Sequence, residues 1–132
     1  MLIDGKIGNN LIYWRILMTE KDPNGIDPHS PGAKLDNDKI MASLLKGFSL
    51  ALLAIAEVST FGAKKYSRDG WQSVKNGRER YDDAFWRHLL KEDLCEYDDD
   101  SGLLHEAHAA WNILAKLELK LRKIREEKNK EY

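Results

Sequence analysis

Glu57, the pair Asp82 and Asp83, and the trio His105, His108 and Asn112 are the residues whose types and spacing could do chemistry. At about 100° per residue along a helix, Glu57 falls in line with Leu50, Leu53, Ala54 and Phe61, with Lys64 two turns later. A carboxylate on an apolar stripe is costly to bury unless a cation, a metal or several donors meet it. An ion pair with a Lys or Arg from elsewhere is the simpler explanation. Asp82 and Asp83 flank the apolar face formed by Trp86, Leu89, Leu90 and Leu94. They also sit where acids favour a helix dipole, so capping explains them equally well. His105, His108 and Asn112 lie within about 60° of one another around a helix axis. Ala107, Ala109 and Ala110 surround them, which lets another helix come close. A His-x-x-His pair can present two nitrogens to one cation. Two hydrogen-bonded interface histidines would give the same pattern.

Three helices must position these groups. The first follows Asn37 or Asp38 as a cap, with Ile40, Met41, Leu44, Leu45, Phe48, Leu52 and Ile55 at helical spacing, and ends near Gly62. Tyr66 to Gly77 reads as a loop, with turns at Asp69-Gly70 and Asn76-Gly77. The second helix runs from about Arg78 to Leu94, with His88 on the side away from its apolar face. Arg87 stands one turn beyond Asp83 and can pair with it or bind phosphate. The acid-rich connection from Glu92 to Gly102 reads as solvated. Ser101 or Asp100 caps the third helix, about Leu103 to Glu127, which ends in a basic, exposed stretch. Together the helices would turn Glu57, Asp82/Asp83 and His105/His108/Asn112 toward a shared interior. Lys64, Lys65, Arg68, Arg80 and Arg87 would be near enough to neutralise phosphates. Carboxylates and cations around a helical cleft suit metal-assisted phosphate chemistry.

The bulk properties narrow the setting. The chain has 132 residues, enough for one domain. Lys and Arg number 21 against 22 Asp and Glu, a net charge of −1, so there is no general attraction for nucleic acid or an anionic membrane. A single cysteine, Cys95, excludes an internal disulfide and fits a reducing cytoplasm. No apolar run reaches the roughly 18 residues of a membrane span, and the longest candidate, Phe48 to Ala56, reads as a buried helix. Neither a secretory signal, a nucleotide-binding glycine loop nor an internal repeat is visible. All three prolines lie before Lys39, which marks residues 1–36 as an irregular arm. Within it, Leu11 to Met18 reads as a strand or short helix. Met18 begins a plausible start of its own, making residues 1–17 an expected upstream extension. Residues 37–127 form the helical domain and 128–132 a charged tail.

The strings PGAKLDNDK (Pro31 to Lys39), AEVSTFGAKKYSRDGW (Ala56 to Trp71), NGRERYDDAFWRHLL (Asn76 to Leu90) and DDSGLLHEAHAAWNILAKLEL (Asp99 to Leu119) together resemble a phage and prophage family. It is the dATP/dGTP diphosphohydrolase domain family, of MazZ type, related to the all-α MazG-like nucleoside triphosphate pyrophosphohydrolases. The resemblance runs from about Pro31 to Arg122. It implies an all-α, MazG-like bundle of three main helices with an irregular N-terminal arm. The implied enzyme uses Mg²⁺ or Mn²⁺ to cleave purine deoxynucleoside triphosphates to monophosphate and pyrophosphate. That activity would remodel the nucleotide pool in the cytoplasm of an infected bacterium. Relatives pair subunits, implying a homodimer or homotetramer.

By the same resemblance, Glu57 and Asp83 are catalytic carboxylates and metal ligands. His105 and His108 are metal ligands or phosphate contacts. Asn112 fixes one of the histidines, and Lys64, Lys65 and Arg87 bind the triphosphate. Trp71 or Tyr66 stacks on the base, and His88 serves a subunit contact. The sequence departs from the paired-acid pattern of MazG-like proteins, with Thr60 three residues after Glu57 and histidines in place of the later acids. Two alternatives therefore stand beside the enzyme: a silent nucleotide- or metal-binding regulator, and a structural helical interaction protein.

Overall fold

The computed structural model describes residues 20–130. The arm's first 19 residues, including the Leu11 to Met18 segment and the junction before Met18, lie outside the described residues. The described residues divide into two compact units, one ending at Leu45 and the other beginning at Lys46.

The described part of the first unit is built of turns. Asp22 organises it: its carboxylate accepts the backbone N–H groups of Asn24, Ile26 and Lys34. The Lys34 bond is the main reason that this carboxyl sits below its ordinary pKa. Asp38, one of the expected helix caps, instead has φ +62°, a left-handed conformation incompatible with an N-cap's extended backbone. The first helix accordingly starts later than the sequence suggests. Ala42–Phe48 is a 3₁₀ helix, and regular α-helix begins only at Ser49.

The second unit holds three helices: α1 (Ser49–Lys65), α2 (Gly77–Glu92) and α3 (His105–Asn129). Among the described residues there is no strand, only an isolated antiparallel bridge between Tyr97 and Leu104. An all-α architecture is thus what the structure shows. The long helix α3 is the spine, with α2 packed along it and α1 against its first half. Ala107, Ala109 and Ala115 on α3 and Val58 on α1 are the buried apolar residues. Their small volume permits close approach of the helices. Polar ties fix the register: Trp111 Nε1 donates to Ser59 Oγ at 2.8 Å, joining α3 to α1. Lys116 and Asp82 pair at 2.7 Å, joining α3 to α2.

Between α1 and α2, a short 3₁₀ turn, Gly70–Ser73, is held when the Tyr81 hydroxyl donates to the Trp71 carbonyl. Asn76 starts α2 from a left-handed backbone, φ +56°. Gly77 follows, buried where any side chain would press on Leu119 and Tyr81.

The apolar faces expected to point inward do not. Leu50 is 86% exposed and Leu53 63%, and Trp86 and Leu90 on α2 and Leu94 just beyond it are exposed too. With its 3₁₀ lead-in, the stretch Ala42–Lys65 is continuous helix, long and apolar enough to cross a membrane by length and composition. The sequence reading missed this because scattered serines and lysines interrupt every apolar run. Length and composition are the whole of that likeness. In this structure, Ser59 accepts a hydrogen bond from Trp111 and Val58 is buried.

Candidate functional site

The sequence places small residues around polar ones on α3, and this pattern builds the site. His105, His108 and Asn112 are all buried, at 4%, 7% and 6% exposure. Each needs a polar partner in so dry a place. Asn112 donates from its side-chain amide to the His108 carbonyl one turn back, so it steadies the helix beneath His108. His105 and His108 find partners on α2 and in the connection before α3.

The α2 partner is His88. Its ring stacks on His108, centroids 4.5 Å apart and planes 9° from parallel. Its Nδ1 lies 2.8 Å from Nδ1 of His105, a hydrogen bond that needs one nitrogen protonated and the other not. His88 therefore faces the interior, not a subunit contact. The reversal has a simple cause. The face of α2 carrying Trp86 and Leu90 is turned to solvent, and Tyr81, Ala84 and His88 turn toward α3 in its place.

The partner in the connection is Asp98. The acid-rich segment is not wholly solvated. The turn from Asp98 to Leu103 closes when Gly102 N–H donates to the Asp98 carbonyl and Asp98 N–H to the Leu103 carbonyl. Gly102 takes φ +71° to do so. The Asp98 carboxylate accepts from the Ser101 amide and hydroxyl, both at 2.8 Å, and lies 3.7 Å from His108 Nε2. Ser101 Oγ is also 2.6 Å from His108 Nε2. Ser101 is thus a brace between Asp98 and His108, not the cap of α3, which starts at His105 without a side-chain cap. Nor is it an activated nucleophile. Asp98 stands on the same nitrogen of His108 as the hydroxyl, whereas a catalytic triad needs the acid on the other ring nitrogen.

Burial shifts the protonation of this cluster. It lowers the His88 pKa to about 4, helped by His108, His105 and Lys91 and opposed by Asp98. Burial also lowers His108, again against the pull of Asp98. Burial pushes the Asp98 carboxyl up, but the Ser101 hydrogen bonds and the neighbouring His108 and His88 outweigh it and hold the group below its ordinary value.

This cluster forms part of the wall of a cleft of about 950 Å³. His88, Asp98, His108 and Asn112 line it. Lys65, Arg68, Arg80 and Arg87 supply cations, and Trp71, Tyr66, Tyr81 and Trp111 supply rings. Trp71 meets Trp111 edge-on at 5.9 Å, and Tyr81 meets Trp111 at 5.5 Å. Lys65 is paired with Asp100 at 2.5 Å, and that bond raises its pKa.

Of the residues singled out from sequence, the structure brings Lys65, Trp71, Asp83, Arg87, His108 and Asn112 to this cleft. His105 lies buried behind it, in contact with His88. Glu57 and Lys64 are exposed and do not line the cleft. The stripe that carries Glu57 is the one whose leucines face solvent, so this carboxylate bears no burial cost. Asp83 and Arg87 both reach the cleft but form no ion pair with each other; Asp82 pairs with Lys116 instead. Glu57, Asp83, His105 and His108 are therefore not one ligand set. Among the described residues, the group whose ligand atoms converge is His88, Asp98 and His105, all within 4.8 Å of one another. Asp98 was missed, and the nearest signal for it was the Ser101-Gly102 turn that follows.

Comparison with known proteins bears on the same region. The family described as "dATP/dGTP diphosphohydrolase, N-terminal" matches residues 29–130, which include every residue of the cleft. The chain belongs to this family. A dATP/dGTP diphosphohydrolase of Salmonella phage PMBT28 is 38% identical over 84 residues. The matched stretch covers 63% of this chain and 28% of that relative, so the chain spans less than a third of the relative's length. No solved structure matches.

Proposed function

We propose that this chain binds purine deoxynucleoside triphosphates in the α1–α2–α3 cleft and hydrolyses dATP or dGTP to the monophosphate and pyrophosphate. The carrying observation is the cleft itself. Four cations and a histidine–aspartate cluster line it together, within the segment that the family spans. Lys65, Arg68, Arg80 and Arg87 suit the phosphates. The forked guanidinium groups match two oxygens at once, and Lys65 acts as a point charge. Trp71 and Tyr66 offer faces to a purine. A divalent cation, Mg²⁺ or Mn²⁺, supplies charge neutralisation and an acidified water when bound. Asp100 is engaged by Lys65 and Asp98 by Ser101, which leaves Asp83 as the cleft acid that would meet such a cation. Exposed apolar residues on α1 and α2 support pairing of subunits, as a homodimer or homotetramer; the proposed setting is the host cytoplasm.

Pyrophosphate release from a panel of eight ribo- and deoxyribonucleoside triphosphates, with Mg²⁺, with Mn²⁺ and with EDTA, tests this reading. Metal-dependent release led by dATP or dGTP is expected. A folded protein that releases none overturns it. The position of Glu57, exposed and outside the cleft, favours a second reading in which nucleotide binds without turnover. Binding without release would select that one.

A further inference from the structure

We propose that His88, Asp98 and His105 form a resident site for one divalent transition-metal ion, open on its outer side to the cleft and selective against Mg²⁺. The proposal stands on the geometry of these side chains and does not depend on the substrate.

Three elements contribute one ligand each: α2 gives His88, the Asp98–Leu103 turn gives Asp98, and the first residue of α3 gives His105. Their ligand atoms lie within 4.8 Å of one another. A tetrahedral ion with ligands at about 2.0–2.1 Å requires ligand atoms about 3.3 Å apart. The two Nδ1 atoms now lie at 2.8 Å, sharing a proton. An ion would replace that proton, and the rings would part by about half an ångström.

The surroundings orient the ligands before any ion arrives, as the partners of a built metal site do. His108 stacks flat on His88 and fixes its ring plane. Ser101 holds the Asp98 carboxylate by two hydrogen bonds and ties it to His108. Burial of His105 at 4% exposure protects the inner side. His88 and Asp98 both line the cleft, so a fourth position faces it. Two imidazoles and one carboxylate suit Zn²⁺, Co²⁺ or Mn²⁺, whereas Mg²⁺ demands oxygen ligands in an octahedron. Three protein ligands with one open position is the arrangement of catalytic zinc.

The test uses this chain stripped with EDTA, with no nucleotide present. Titration with Co²⁺, followed by visible absorption and calorimetry, should show one ion per chain with the intense d–d bands of a low-coordinate site. Zn²⁺ should displace it, and a thousandfold excess of Mg²⁺ should not. His88→Gln and Asp98→Asn should each weaken Co²⁺ binding by at least tenfold and change the spectrum. His29→Gln, in the other unit, should leave both unchanged. Circular dichroism on each variant establishes that it is folded. If a folded His88→Gln or Asp98→Asn variant binds Co²⁺ as the parent does, or if the parent binds none, the site is refuted. Because no turnover is measured, a failure of the hydrolysis reading would leave this result untouched.

Discussion

Acidification should destabilise the helical unit through His88, and the size of the loss can be worked from the site. The unfolded chain titrates this imidazole near its ordinary 6.5, whereas the folded protein holds it at about 4. The folded state thus binds fewer protons than the unfolded state between those values. The stability gained by keeping the ring neutral is fully present above pH 6.5. It drains as pH falls toward 4 and is gone below. Each pH unit in that window is worth about 1.4 kcal/mol, so a drop from pH 8 to pH 5 removes about 2 kcal/mol. Partial exposure of the ring screens this toward about 1 kcal/mol. His108 is shifted in the same direction by the same burial and adds to the slope. Asp98 is shifted down from an ordinary 3.8 and contributes only at lower pH, where protonation breaks its bonds to Ser101. Urea unfolding followed by helical ellipticity, in EDTA, is the assay. With a slope of about 1–2 kcal/mol per molar urea, the midpoint should fall by about 0.5–1 M from pH 8 to pH 5. In His88→Asn the neutral amide has nothing to protonate and the decline should be smaller. A parent midpoint that stays level over this range, or a variant that declines as steeply, refutes the reasoning.

Other outcomes follow from particular contacts. Ser101→Ala leaves the Leu103 amide without its acceptor and His108 without its nearest partner, and should cost about 1–3 kcal/mol in thermal or urea unfolding. Gly77→Leu forces a side chain against Leu119 and Tyr81 at the buried start of α2, and should cost about 1–3 kcal/mol by the same measurement. Lys116→Met removes the tie to Asp82, a partly exposed pair, and should cost no more than about 1 kcal/mol. On the proposed hydrolysis, Arg87→Ala should lower kcat/KM for dATP or dGTP by about tenfold to a hundredfold while leaving the unfolding midpoint within experimental scatter, since its side chain is exposed.

Helix number and order were legible from the sequence, because Gly, Asn and Asp clusters punctuate three long periodic segments. The beginning of the first helix was not. Asp38 looked like a cap by residue type, yet a cap needs extended backbone and this residue is left-handed. Of the site, His105, His108 and Asn112 were legible as polar residues embedded among alanines on one helix face. Asp98 was not, because nothing in a run of six acids says which one a tight turn will direct inward. That choice is made by Ser101 and Gly102, the residues that close the turn.

The misplacement of Glu57 and His88 has one common origin. Both were located by assuming that the apolar side of a helix is the buried side, and in this unit the assumption fails on α1 and α2 together. Leu50, Leu53, Trp86, Leu90 and Leu94 are exposed, while the buried residues among those described are three alanines, two histidines, an asparagine, Gly77 and Val58. A helix face of small and polar residues can be the interior when each polar group has a partner at hydrogen-bond distance. His88 with His105, His108 with Ser101, and Asn112 with the His108 carbonyl meet that condition. The interior is therefore held by polar pairs whose loss leaves buried donors and acceptors unmatched. Large apolar side chains on the outside remain available to a second surface.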